Sequence, residues 1–271
     1  MTPSWRSHIH PRSSVQARLT ARLRTFTGGR LRRLDPIAAM GGRRARPAVV
    51  AVVLSTLLHA GCETADVRSG PTERDARSRA EVQTELGVNY IREGQPERAL
   101  QRLRSATRID PTYAPAYNAL GSLYERLQQP EQAGINYQRA TELDPAFASA
   151  RNNYGGWLCR NRRFDEAEEQ FRQAAINPLY DVPQLALYNA GVCARRAQQP
   201  AKATNYFRES LKRDPRFPQS LFAMSELSFA QNNALSARAY LQRYLEVAKH
   251  SPRSLWLGIR IERELGDKNA V

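Results

Sequence analysis

Histidine and cysteine are rare in this 271-residue chain, which contains four of the first and three of the second. Three histidines lie in the first 60 residues and His250 lies near the other end, and no metal-ligand spacing connects them. The sequence also lacks an HExxH motif, a phosphate-binding glycine loop and a Ser-His-Asp set within supporting motifs. These absences predict a non-enzymatic protein that takes no metal, no cofactor and no small-molecule substrate.

Long apolar runs are missing as well. A membrane-spanning helix takes about 20 apolar residues, whereas the apolar and small-residue run at 48–58 is much shorter. A basic segment that starts at Met40 precedes this run, and Ala60-Gly61-Cys62 follows it. This order resembles a bacterial lipoprotein signal, with His59 where a leucine is usual. We predict a signal peptide over 40–61 and lipidation at Cys62; a plain signal peptide and an N-terminal anchor helix are the alternatives.

Acidic residues are nearly absent from the first 61 positions, where eleven arginines accompany Asp35 alone. Residues 62–271 hold 30 basic and 25 acidic residues, so most of the net charge of +15 belongs to the leader. The charge therefore does not predict nucleic-acid binding. We expect translation to start at Met40, which makes 1–39 a mis-assigned or disordered extension. An unusually long basic signal segment and an organelle transit peptide are the alternatives.

Residues 62–79 are polar and show no apolar periodicity. A flexible tether of this length reaches about 20–25 Å. Glu63, rather than an aspartate, follows Cys62 directly, which resembles the bacterial lipoproteins that are released to the outer membrane. We therefore predict a lipid-anchored protein at the periplasmic face of the outer membrane.

What the chain does contain is a 34-residue period. Gly87, Gly121 and Gly155 are spaced by 34, and the pattern resumes at Gly191 after a two-residue insertion. A period of 34 with small, aromatic and proline positions is typical of the tetratricopeptide repeat, a helix–turn–helix unit that stacks on its neighbours. We predict an all-α right-handed superhelical solenoid over 80–271, with five repeats and an eleventh helix. The repeats begin at Ala80, Ala114, Ala148, Gln184 and Pro218.

The first helix of each repeat usually lines the concave side of such a solenoid, so fixed positions on these helices predict a partner-binding groove. Its N-terminal half is polar and basic and its C-terminal half is aromatic, and aromatic residues beside arginines are typical of binding hot spots. The aromatic residues packing between repeats, and the arginines forming only a solvated rim, are the alternatives. The candidate groove residues are Asn118, Arg126, Asn152, Asn153, Gly156, Arg160, Tyr188, Arg196 and Phe222.

Gly155 and Gly156 are adjacent in one helix, where each glycine costs about 1 kcal/mol relative to alanine. We place Gly155 where the two helices of the repeat cross, and Gly156 in the groove, where a missing side chain leaves room for a partner's backbone. Asn152 and Asn153 could then hydrogen-bond an extended peptide. The alternative is that helix packing requires both glycines.

Cys159 and Cys193 lie on the first helices of repeats 3 and 4. We expect two small buried residues that are not bonded to each other, since their helical phases differ. A disulfide is the alternative, because the predicted compartment is oxidising.

Two further motifs indicate one family among the tetratricopeptide-repeat proteins. Residues 152–158 read NNYGGWL and residues 254–260 read SLWLGIR. Together with the lipoprotein signal, they resemble the type IV pilus biogenesis and stability lipoproteins, the PilF/PilW family. The resemblance implies an outer-membrane pilotin that binds the pilus secretin subunit and promotes its localisation and multimerisation. It also implies six repeats, so we expect Val271 to be a truncated end. A periplasmic scaffold that recruits cell-wall hydrolases or synthases is the alternative function.

Overall fold

The computed structural model describes residues 72–266, which form eleven α-helices and no strand. The expected extension over 1–39, the signal peptide over 40–61, Cys62 and Val271 lie outside the described residues. The helices are α1 (Glu73–Arg92), α2 (Pro96–Ile109), α3 (Ala114–Arg126), α4 (Pro130–Leu143), α5 (Ala148–Arg160), α6 (Phe164–Ile176), α7 (Pro183–Arg196), α8 (Pro200–Arg213), α9 (Pro218–Ala230), α10 (Ala234–Leu245) and α11 (Pro252–Glu264).

The helices stack as hairpins. Each odd-numbered helix up to α9 packs on the even-numbered helix that follows it, and each even-numbered helix packs on the next odd one. The odd-numbered helices α1, α3, α5 and α7 also contact one another in sequence, and α9 contacts α11, whereas consecutive even-numbered helices have no comparable contact. The odd-numbered helices therefore lie closer together and line the inner side of the stack. The predicted all-α tetratricopeptide architecture, with five repeats and an eleventh helix, is confirmed.

Within each hairpin a small residue faces a large one, as the sequence predicts. A Cβ placed on Gly121 would lie 2.6 Å from the Tyr137 ring, so only glycine allows α3 and α4 to approach this closely. The same crossing recurs in the first, third and fourth repeats. The pairs there are Gly87–Leu103, Gly155–Phe171 and Gly191–Phe207. In repeat 5, Ser225 takes this place and donates a hydrogen bond to the Ala237 carbonyl at 2.8 Å.

The turns are as regular as the crossings. The turn inside each hairpin contains one residue with positive φ, which is Gly94 in repeat 1 and a larger residue in the others. Between hairpins, Asp110, Asp144 and Asp214 each accept a hydrogen bond from the backbone N–H two residues further on. Asn177 does the same at the two-residue insertion. These local bonds satisfy the backbone where each helix ends.

The first helix begins earlier than the sequence indicates. Helix α1 starts at Glu73, within the segment that we expected to be tether, and Thr72 forms a capping box with Asp75. Arg77 then pairs with Asp110 at 2.7 Å and lies 5.2 Å from the centre of the Tyr113 ring. The extra turns are held by polar contacts, and a search for apolar periodicity does not detect these.

The expectation that the two cysteines of repeats 3 and 4 are unbonded is wrong. Cys159 and Cys193 form a disulfide with their Cα atoms 5.8 Å apart, and both side chains are buried. Equivalent positions of repeats 3 and 4 are 36 residues apart, as Gly155 and Gly191 are, whereas the cysteines are 34 apart, so they do occupy different positions in their helices. Cys159 lies seven residues after Asn152 and Cys193 lies four after Asn189, so both cysteines lie on the helix faces that the Asn152–Asn189 hydrogen bond joins.

The last helix packs on one side only. Leu257 and Ile261 of α11 are buried in a cluster with Ala237 and Leu241 of α10. Trp256, on the other side of α11, is 59% exposed. Among residues 72–266 no helix has the length and apolarity that a membrane span requires, and no group of three potential metal ligands occurs.

Candidate protein-binding groove

The predicted groove residues all lie on the odd-numbered helices, but they differ in exposure. Asn118, Asn152 and Gly156 are buried, and Arg126 and Arg196 are exposed. The remaining four are half-buried. They are Asn153, Arg160, Tyr188 and Phe222. The structure separates them into two groups, which we call the central groove (α3, α5 and α7) and the C-terminal groove (α9 and α11).

Asparagine pairs join the helices of the central groove. The Asn153 amide of α5 donates to the Asn118 side-chain oxygen of α3 at 2.9 Å. One repeat further on, the Asn189 amide of α7 donates to the Asn152 oxygen at 2.9 Å. Each pair uses one donor and one acceptor of two amides, which leaves hydrogen-bonding capacity for a ligand.

Asn189 was missed in the sequence. It lies 37 residues after Asn152, whereas Asn153 lies 35 after Asn118, and the two-residue insertion accounts for the difference. A search for polar residues one position beyond the equivalent place in the next repeat would have found Asn189.

The arginines that end α3 and α5 also contact residues that lie 35 positions earlier in the chain. Arg126 donates to the Ile91 carbonyl at 3.1 Å. Arg160 forms an ion pair with Glu125, and the second oxygen of Glu125 accepts a hydrogen bond from the Tyr137 hydroxyl at 3.1 Å. Glu125, which the sequence analysis did not single out, thus connects the groove to the interior of repeat 2.

The two adjacent glycines have different surroundings. A Cβ on Gly155 would lie 2.9 Å from Phe171 and 3.2 Å from the Ala167 carbonyl, so helix packing requires a glycine there. A Cβ on Gly156 would meet only the Arg160 guanidinium, at 3.5 Å. Helix packing therefore does not require Gly156, and the Arg160 side chain lies across it.

Arg160 is more enclosed than Arg126 and Arg196, which are exposed. Its side chain is 26% exposed. Burial, and to a smaller extent the nearby charge of Arg196, lower the pKa of Arg160 to about 10. The centre of the groove thus holds two guanidinium groups and the one carboxylate of Glu125.

In the C-terminal part of the stack the predicted aromatic residues pack between helices. The Tyr188 ring lies 5.8 Å from Phe207 and 5.9 Å from Phe217, centre to centre. Burial raises the pKa of Tyr188. Phe222 lies 5.3 Å from Tyr244. These contacts favour the alternative in which both aromatic residues hold neighbouring repeats together.

Helix α11 covers the C-terminal groove with arginines. The Arg253 guanidinium lies 5.4 Å from the Phe222 ring centre, and that of Arg260 lies 4.7 Å from Phe229. Glu226 of α9 pairs with Arg195 at 3.1 Å and with Arg253 at 2.5 Å. Phe222, which we expected to face a partner, is covered here by an arginine of α11.

Family models agree with this architecture. Models of the tetratricopeptide repeat match residues 87–128, 114–147, 158–203 and 188–252. The protein MamA has a similar solved structure, with a TM-score of 0.52 and 18% identity over 59% of this chain and 93% of that one, and this shows the fold alone.

Two relatives are more similar. The type IV pilus assembly protein PilF of Pseudomonas aeruginosa is 30% identical over 212 residues, which cover 78% of this chain and 84% of PilF. Its solved structure superposes with a TM-score of 0.67 at 29% identity, over 72% of this chain and 88% of that one. PilW, a widely conserved type IV pilus biogenesis factor, gives a TM-score of 0.65 at 26% identity, over 70% and 88%.

Proposed function

Since the chain belongs to the PilF family of tetratricopeptide-repeat proteins in type IV pilus biogenesis, we propose that it acts as a non-enzymatic pilotin. It binds the pilus secretin subunit, brings it to the outer membrane and promotes its multimerisation. The similarity to PilF over 84% of that protein's length carries this proposal.

The anchor that we propose is a lipid on Cys62, which holds the repeats at the periplasmic face of the outer membrane. Two observations support this location. The sequence before Cys62 resembles a lipoprotein signal. The bond between Cys159 and Cys193 is of a kind that persists in oxidising compartments such as the periplasm.

The repeats supply the binding surface. A stack of helix hairpins presents a continuous inner face made from successive odd-numbered helices, which suits an extended segment of another protein. Polar groups in the central groove can pair with a polypeptide backbone, because Asn pairs retain donors and acceptors.

The test is the amount of heat-resistant secretin multimer in outer-membrane fractions of strains with and without this gene. We expect loss of multimer in the deletion strain while secretin monomer is still present. A Cys62→Ser variant, returned to that strain, should leave the multimer reduced and move the protein out of the membrane fraction. An unchanged multimer level in the deletion strain would support the cell-wall scaffold instead.

A further inference from the structure

The outer helix of the first repeat, α2, carries an unbalanced positive charge. Its one acidic residue is Glu97, and its four basic residues are Arg98, Arg102, Arg104 and Arg108. Three of these arginines donate side-chain hydrogen bonds, and the acceptors are the neutral groups of Gln95, Gln83 and Tyr124. None of the four forms an ion pair with a carboxylate of residues 72–266. The arginines of α2 therefore keep their full charge at the surface.

The outer helices of the next two repeats are different. The one arginine of α4, Arg139, pairs with Glu142 at 3.6 Å, and the one arginine of α6, Arg172, pairs with Glu169 at 2.7 Å. Among the even-numbered helices that the structure describes, α2 has the most basic side chains without a carboxylate partner. This charge is a property of the first repeat and does not follow from the repeat pattern.

The basic end of α2 lies beside the start of α1. Arg77, in the second turn of α1, pairs with Asp110, which directly follows α2, at 2.7 Å. The last two turns of α2, which carry Arg104 and Arg108, are therefore next to the first turns of α1. The same ion pair takes up the carboxylate that follows α2. Glu97 lies in the first turn of α2, at the opposite end of the repeat.

The start of α1 is also the part of the stack that is closest in sequence to the proposed lipid. Helix α1 begins at Glu73, eleven residues after Cys62, and a fully extended chain of this length spans at most about 40 Å. A lipid on Cys62 keeps this end of repeat 1 within that distance of the bilayer. The phosphate groups of the bilayer surface are then within reach of Arg104 and Arg108.

We propose that the basic end of α2 binds the headgroups of anionic phospholipids and so orients the repeat stack on the membrane that holds its anchor. Guanidinium groups bind phosphate oxygens through two parallel hydrogen bonds. This inference rests on the proposed function in one respect, that Cys62 carries a lipid. Because α2 lies on the outer side of the stack, the groove formed by the odd-numbered helices stays open to a protein partner.

Energy transfer from the protein to the bilayer surface tests this orientation. The full chain is inserted into lipid nanodiscs of phosphatidylcholine, alone or mixed with phosphatidylglycerol, whose headgroups carry an acceptor dye. The donor dye is attached through Gln101→p-azidophenylalanine, which lies on the exposed face of α2. For comparison it is attached through Asn205→p-azidophenylalanine, which is exposed on α8. Phosphatidylglycerol should raise the transfer from position 101 and not from position 205, and added salt should reverse the rise.

Charge-removing variants of the chain labelled at position 101 test the arginines. One basic side chain near an anionic bilayer shifts the equilibrium between bound and free surfaces about fivefold. Arg108→Gln should therefore shift it about fivefold, and the Arg104→Gln, Arg108→Gln double variant about thirtyfold, which brings the transfer to the level in phosphatidylcholine alone. The Arg208→Gln, Arg213→Gln double variant of α8 removes the same charge elsewhere and should retain the rise. Thermal unfolding checks that each variant is folded.

Three results overturn the proposal. They are a transfer from position 101 that does not depend on phosphatidylglycerol, an equal rise at positions 101 and 205, and a rise that survives in the folded Arg104→Gln, Arg108→Gln variant. The first of these is also the result expected if α2 binds an acidic protein instead. The mass of the mature chain tests the lipid on Cys62 separately. If the deletion strain keeps its secretin multimer while the rise still requires Arg104 and Arg108, the lipid-binding surface stands and the pilotin role does not.

Discussion

The central and C-terminal grooves both contain arginines, but the arginines have different partners in the two grooves. In the central groove, Arg160 reaches back to the preceding repeat and Arg196 remains exposed. In the C-terminal groove, Arg253 and Arg260 of α11 lie over aromatic rings of α9. The repeat register predicts which face a residue lies on. The following helix determines whether that residue is available to a partner.

The disulfide is the largest difference between the two grooves, and its removal should have the largest effect. It closes a segment of 34 residues across repeats 3 and 4. We expect the Cys159→Ala, Cys193→Ala double variant to lose about 2–4 kcal/mol of unfolding free energy, since the unfolded chain is no longer constrained. Urea unfolding followed by circular dichroism measures this loss.

Wild-type protein treated with a reductant is the control for that experiment, because it breaks the bond without changing a side chain. It should unfold at the same urea concentration as the double variant. Equal stability of the oxidised wild type and the double variant would contradict the assignment of the bond.

Substitution of the two adjacent glycines tests whether helix packing requires both of them or Gly155 alone. We expect Gly155→Ala to lower the unfolding free energy by about 1–3 kcal/mol, because its Cβ would lie 2.9 Å from Phe171. Gly156→Ala should raise it by about 0.5–1 kcal/mol, since alanine favours the helix and its Cβ has room. Equal losses in the two variants, measured by urea unfolding, would show that both positions serve packing.

Removing an arginine that covers the C-terminal groove should lower the stability by a smaller amount. Arg253→Ala removes the ion pair with Glu226 and the guanidinium over Phe222. We expect a loss of about 1 kcal/mol, because the Arg253 side chain is largely exposed. Hydrogen exchange of α11 measures it, and Arg263→Ala, another exposed arginine of α11, is the matched control. Faster exchange in both variants would argue against a covering role for Arg253.

The sequence was sufficient for features that every repeat must share. Stacked hairpins impose the same limit on side-chain size wherever two helices cross, so Gly87, Gly121, Gly155 and Gly191 recur at a nearly constant interval and define the helices. The register also predicted that Gly155, and not Gly156, lies where the two helices of the repeat cross.

Contacts between repeats were harder to predict, because they depend on how far each odd-numbered helix is displaced along the axis of the preceding one. That offset pairs Asn152 with Asn189 and Glu125 with Arg160, each at one residue more than the interval between equivalent positions, whereas Cys159 and Cys193 are two residues closer in sequence than that interval. A single sequence shows the period but not the offset. Pairs of residues whose separation is one more than the period reveal the offset, but only after one such pair has been observed.

The most direct test of the central groove as the partner site compares two side chains at Gly156. A leucine there would take the space of the Arg160 guanidinium, whereas an alanine would fit at ordinary contact distance. The measurement is the amount of secretin subunit that co-purifies with each variant from detergent-solubilised membranes, with thermal unfolding as the check on folding. We expect Gly156→Ala to bind as the wild type does and Gly156→Leu to fold but to bind about tenfold less, which corresponds to about 1.4 kcal/mol. A folded Gly156→Leu variant that retains full binding would place the partner site elsewhere.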